Sequence, residues 1–161
     1  MKIEILTSRS GLPFAVIDGK RIHSAYDPRM EAERFLEQKY PDEAPVYIIA
    51  GPGLCYLNSA IEKRKSNSRI ISISFHDIFF ERYDKKIGLE WYPSSPEPLE
   101  SFLSRILSDH DLEGLSYIEW NPSFLCDPET GSFVSRTVRS VLRVLNGNIA
   151  TASAFGRIWW R

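Results

Sequence analysis

Apolar and polar positions along this chain fall into two rhythms. Ile3 to Thr7 and Pro13 to Ile17 are short β-type runs separated by Ser8, Arg9, Ser10 and Gly11, and a second turn at Asp18 and Gly19 leads on to Arg21 and Ile22. They predict a small hairpin or meander over residues 1–24. In the segment that follows, Asp27 suits an N-cap and Pro28 the first helical position, with Ala32, Phe35, Leu36 and Tyr40 at helical spacing before Pro41. From Pro45 the pattern alternates. Strands are expected at Val46 to Ala50, Arg69 to Phe75 and Ser116 to Trp120. Helices are expected from about Gly53 to Lys65, Asp77 to Tyr83, Leu99 to Leu107 and Thr130 to Leu145. The last helix carries Val134, Val138, Val141, Leu142 and Leu145 on one stripe. Continuous apolar strands alternating with amphipathic helices predict an α/β, three-layer, Rossmann-like domain over residues 25–150, its sheet mainly parallel and preceded by the antiparallel β segment.

Composition narrows the possibilities. A chain of 161 residues is the size of one domain with an ordinary core. Its formal charge of -1 supplies no global field for nucleic acid or an anionic membrane. No apolar run approaches the ~20 residues that span a bilayer, and the start MKIEILTSRSG has no signal-peptide h-region. The expectation is a soluble cytoplasmic protein. Cys55 and Cys126 match no metal-ligand spacing and read as free thiols.

Three constellations carry candidate chemistry. Gly51, Pro52 and Gly53 follow the first strand of the alternating region, where a glycine-rich turn lets backbone approach a phosphate or cofactor. The dinucleotide fingerprint is incomplete, because Tyr56 stands where a third glycine is needed and Ser74 where an acid would hold ribose hydroxyls. A tight turn that binds nothing is the alternative. The second constellation is His23, Ser24, Tyr26, Asp27, Arg29, Glu31, Glu33 and Arg34. Here Asp27 and Glu31 can share a helix face beside a histidine, for acid-base work or a metal, or else simply form a capped helix with a solvated face. The third is Arg136, Arg139 and Arg143, a stripe able to hold an anion or to remain solvated. His76 and His110 read as surface or turn residues.

The phrases IHSAYDPRMEAERF, VYIIAGPGLCYL and TASAFGRIWWR together resemble the N-terminal portion of the motility-associated-factor family. These are large bacterial glycosyltransferase-like proteins, similar in their central domain to a hydroxymethylpterin diphosphokinase and implicated in flagellin glycosylation. The resemblance rests on His23, Ser24, Tyr26, Asp27, Pro28, Glu31, Ala32 and Arg34 in the first phrase, and on Gly51, Gly53, Leu54 and Tyr56 in the second. Cys55, Asn58 and Ser74 depart from the family's loop glycine, a nearby histidine and an often-found Glu. It implies an accessory, substrate-organising or interaction domain without catalytic residues of its own, with a nucleotide-sugar and flagellin as partners through the parent protein. A methyltransferase-like enzyme using S-adenosylmethionine, or a purely structural interaction module, are the competing expectations. A ligand is expected over Gly51, Pro52 and Gly53, with Tyr26 and Asp27 either at the ligand or holding the hairpin to the sheet. From about Thr151 the tail reads as the start of a helix leading into a further domain, or as a terminal helix docked through Ile158, Trp159 and Trp160. A homo-oligomer through this helix is a further expectation.

Overall fold

The computed structural model describes residues 1–64, 67–82 and 89–147. What was expected of the tail after Thr151 lies outside those residues. An antiparallel meander opens the chain: β1 (Ile3–Thr7), β2 (Pro13–Ile17) and the two-residue β3 (Lys20–Arg21), in the order β1-β2-β3. Gly11 and Gly19 turn it at φ +86° and +81°, the left-handed conformation that glycine adopts without a Cβ penalty. Helix α1 (Pro28–Lys39) follows, with Pro28 in its first turn and the Asp27 carboxylate accepting from the Arg29 and Met30 N–H groups at 3.0 Å each.

The alternating region forms β4 (Val46–Ala50), α2 (Tyr56–Arg64), β5 (Arg69–Ile73), α3 (Asp77–Arg82), β6 (Leu89–Trp91), α4 (Leu99–Ile106), β7 (Leu115–Glu119), α5 (Asn121–Cys126) and α6 (Pro128–Gly147). The sheet is wholly parallel, in the order β6-β5-β4-β7. The three expected strands therefore share one sheet. β4 is covered on both faces and every residue of it is buried, which explains its unbroken apolar run. One face packs Ile48, Ala50, Ile71 and Ile73 against Phe102 and Leu103 of α4 and the Val134, Val138, Val141 and Leu142 stripe of α6. The other packs Tyr47, Ile49, Ile70 and Ile118 against Ala32 and Leu36 of α1 and Leu57 and Ile61 of α2. This is a three-layer α/β domain, and no helix among the described residues is long and apolar enough to cross a membrane.

Strand order reverses at β4, from which the chain moves first to β5 and β6 and then back across to β7. In open parallel sheets the crevice at such a reversal, beyond the carboxyl ends of the strands, is where ligands bind. Here the meander comes to that end of the sheet. Ala15, Ile17 and Ile22 form a small core with Phe79 of α3, and Leu54, Ile78 and Cys126 pack against it.

Candidate functional site at the strand ends

Beyond β4 the chain runs through Gly51, Pro52, Gly53, Leu54 and Cys55, of which only Leu54 is not fully buried. Gly51 (φ +70°), Gly53 (φ +59°) and Cys55 (φ +64°) all lie in the left-handed region, so the turn reverses direction tightly and leaves backbone amides at the start of α2. The room around both glycines is taken by the protein itself. A Cβ on Gly51 would lie 2.7 Å from the Ser123 Cβ and 3.2 Å from the Phe75 ring. On Gly53 it would lie 2.5 Å from His23 Nε2 and 2.8 Å from Ile22 Cδ1. Ser123 also donates its hydroxyl to the Gly51 carbonyl at 2.6 Å, drawing α5 onto the turn.

His23 is the centre of this closure. Its Nε2 accepts the Leu54 N–H at 3.0 Å, so the neutral ring carries its proton on Nδ1, a buried group with no hydrogen-bond partner. Burial lowers its pKa to about 4, which keeps the ring neutral at physiological pH. The Tyr56 ring meets it edge-on at a centroid distance of 5.3 Å, and Trp120 lies 6.1 Å away. Trp120 in turn donates its indole N–H to the Ile22 carbonyl at 2.7 Å, and the Tyr56 hydroxyl donates to the Pro13 carbonyl. The two sequence phrases around His23 and Gly51 thus meet in space through His23, Leu54 and Tyr56.

Tyr26 and Asp27 stand beside this closure. Tyr26 is 61% exposed, with the Arg9 guanidinium 4.8 Å from its ring centroid. Its carbonyl accepts the Ser10 N–H at 2.9 Å, and the Ala25 carbonyl accepts the Arg9 N–H at 3.0 Å, tying this phrase to the β1–β2 turn. Asp27 caps α1, and Glu31 reaches back to the Ser24 N–H at 2.6 Å. Burial raises the Glu31 pKa, against that hydrogen bond and the charge of Arg21. Each carboxylate thus serves local backbone, and among the described residues no group of three or more histidines, cysteines or acids is placed to hold a metal ion.

Two polar pairs at the same end of the sheet escaped the spacing of the sequence. Glu90 of β6 accepts the Ser74 hydroxyl at 3.0 Å, which brings a carboxylate to the end of β5 from the neighbouring strand. Buried Asn58 donates to Ser72 at 2.6 Å on the same face, and its Oδ1 has no partner. Burial pushes the Cys55 thiol well up, and the charge of Glu90 adds to the effect, so this buried sulfur is no thiolate nucleophile at neutral pH. The second pair is His76 and Asp127, with Nε2 3.6 Å from Oδ2, an ion-pair distance longer than a hydrogen bond. Burial lowers the His76 pKa, while Asp127 and Asp77 pull it up. Asp127 also accepts the Thr130 N–H at 3.1 Å and so caps α6. His76 therefore sits half-buried in the bend before α3, facing Asp127 across the fold with its Nε2 lacking a hydrogen-bond partner. No local signal could have shown this, because Asp127 and Glu90 reach their partners only through the tertiary fold. In the arginine stripe, Arg139 pairs with Glu119 at 3.3 Å and Arg136 turns back to the Ser132 carbonyl.

Comparison with protein-family models, curated proteins and solved structures returns no match to this chain.

Proposed function

We propose that this chain is an accessory, non-catalytic domain of a motility-associated-factor-like glycosyltransferase, acting in flagellin glycosylation by organising the parent protein or its substrates. One observation carries the non-catalytic part of this reading. The space beside Gly51 and Gly53, where a phosphate would approach the backbone, is filled by Ser123, Phe75, His23 and Ile22. Catalysis needs a reacting group within reach of bound substrate. The titratable groups at the turn are instead engaged in the fold, His23 with the Leu54 N–H and Tyr56 with the Pro13 carbonyl, and the Cys55 thiol is buried with its pKa raised. The family assignment is supported by the phrases that carry the resemblance, whose residues His23, Leu54 and Tyr56 form one joint here. Nucleotide-sugar and flagellin are the partners this reading assigns to the parent protein.

A second reading has one observation in its favour. Glu90, hydrogen-bonded to Ser74 beyond the end of β5, stands close to where nucleoside-binding sheets place the acid that accepts ribose hydroxyls. That would suit a methyltransferase-like enzyme. Calorimetric titration with S-adenosylmethionine and with CMP separates the two. The accessory reading expects no binding of S-adenosylmethionine. Micromolar binding of it, abolished in Glu90→Gln and with none of CMP, would establish the second reading in place of the first.

A further inference from the structure

A cavity of about 210 Å³ lies at the opposite end of the sheet from the glycine turn, beside the amino ends of β4 and β7. Tyr40, Pro41 and Glu43 line it from the loop that joins α1 to β4. Glu113 lines it from the end of the 3-10 turn Asp109–Glu113, and Leu115 and Tyr117 from β7.

The fold holds both sides of this cavity in place. α1 stops at Tyr40, whose helical conformation is disfavoured by the proline that follows it. The Tyr40 ring packs against Phe35 at a centroid distance of 5.8 Å, and its carbonyl accepts from the Arg64 guanidinium. Farther along the loop the Ala44 N–H donates to the Tyr47 hydroxyl and the Ala44 carbonyl accepts from the Ser68 hydroxyl, each at 2.9 Å. On the other side Gly114 presses on the start of β4, where a Cβ would lie 2.6 Å from the Pro45 ring. A cavity whose walls are already fixed loses little conformational entropy when it is filled.

Volume and lining decide what fits. Sites that engulf a drug-sized ligand run to ~300–1,000 Å³, so this one takes a side chain or a small molecule of similar size and not a nucleotide. Its lining sets the carboxylates of Asp42, Glu43 and Glu113 against the ammonium of Lys39, a balance that favours a cation. Burial, and after it the charge of Glu119, raises the Tyr40 pKa, so its ring enters the site as a neutral phenol. Tyrosine rings beside proline and leucine suit a cation that is flat, weakly hydrated and carried on an apolar stem. Guanidinium has these properties, and a hydrated metal ion does not. We propose that this cavity binds a guanidinium group on an apolar stem, either an arginine side chain of a partner protein or a free alkylguanidine. Tyr40 and Tyr117 pack against the cation and its stem, and Glu43 and Glu113 accept its N–H groups. The site is separate from the crevice at the strand ends and does not depend on the function proposed above.

Amide NMR of the 161-residue chain titrated with n-butylguanidinium tests the assignment. Saturable shifts are expected at Glu43, Gly114, Ser116 and Tyr117, with a Kd on the order of 1–10 mM for so small a cation. n-Butylurea, of nearly the same shape but uncharged, is expected to bind about tenfold more weakly or not at all. Glu43→Gln combined with Glu113→Gln, both at exposed positions, is expected to weaken binding roughly fivefold. Should that variant not fold, raising NaCl from about 50 mM to about 500 mM on the unaltered chain is expected to weaken binding several-fold by screening. A capped Gly-Arg-Gly peptide that binds about tenfold more tightly than n-butylguanidinium assigns the site to a partner's arginine, and one that binds equally or more weakly assigns it to a free alkylguanidine. The absence of saturable shifts, equal binding of n-butylurea, or binding indifferent to the double substitution or to salt would overturn the proposal.

Discussion

Cys55 holds a left-handed backbone conformation, φ +64°, that costs a non-glycine residue roughly 1–2 kcal/mol, at the position where the resembling family carries glycine. Its buried side chain offsets this through contact with the surrounding core. Cys55→Gly relieves the strain while losing that burial, and is expected to lie within about 1 kcal/mol of the unaltered protein in urea denaturation, against the ~2–5 kcal/mol usual for truncating a core leucine. A loss of more than about 2 kcal/mol would show that the thiol contacts dominate. His23 gives a pH dependence of definite sign. Its folded pKa of about 4 lies below the ordinary histidine value of 6.5, so the unfolded chain takes up the proton first. The stability associated with the neutral ring is complete above pH 6.5 and is lost as the pH falls toward 4, by about 3 kcal/mol in all. Urea midpoints measured between pH 7 and pH 4 should fall more steeply for the unaltered protein than for His23→Gln. Equal slopes would remove His23 as the titrating group.

Among the elements, those whose residues repeat a local rule were the ones legible in the sequence. Asp27 and Pro28 announce α1, and the structure makes the expected cap. Asp27→Ala should therefore cost ~1 kcal/mol in melting experiments through the lost hydrogen bonds to Arg29 and Met30. A larger loss would mean that the phrase around Tyr26 contributes more than a helix end. β4 and β5 were equally plain, because strands buried on both faces read as unbroken apolar runs. β6 was not. It is only Leu89–Trp91, with a glutamate at its centre, and three residues cannot display a period. α5 was missed for a related reason: Asn121–Cys126 is a single short helix opened by Pro122, and its main contribution is to bring Ser123 to the Gly51 carbonyl. The α/β class and sheet direction followed from the alternation of elements. That the meander would close over the reversal point did not, because the contacts responsible join residues far apart along the chain.

For the molecule as a whole, the candidate site is a joint between two sheets. Its glycines were legible as a turn, and their neighbours were not, since Gly53 meets His23 and Gly51 meets Ser123 only after the domain has closed. The Trp120 indole bridging to the Ile22 carbonyl spans 98 residues of sequence, and the contact of Cys126 with Lys20 spans 106. That separation has a bearing on biosynthesis. The meander leaves the ribosome ahead of the elements it packs against, with Phe14, Ala15, Val16 and Ile17 all destined for burial, and the residues that complete its seat emerge about a hundred positions later. At ~5–20 residues per second this leaves an apolar hairpin waiting for some 5–20 seconds. During that interval its strand edges are available to other nascent chains or to a chaperone, so a segment made before its partners is sheltered only once they follow.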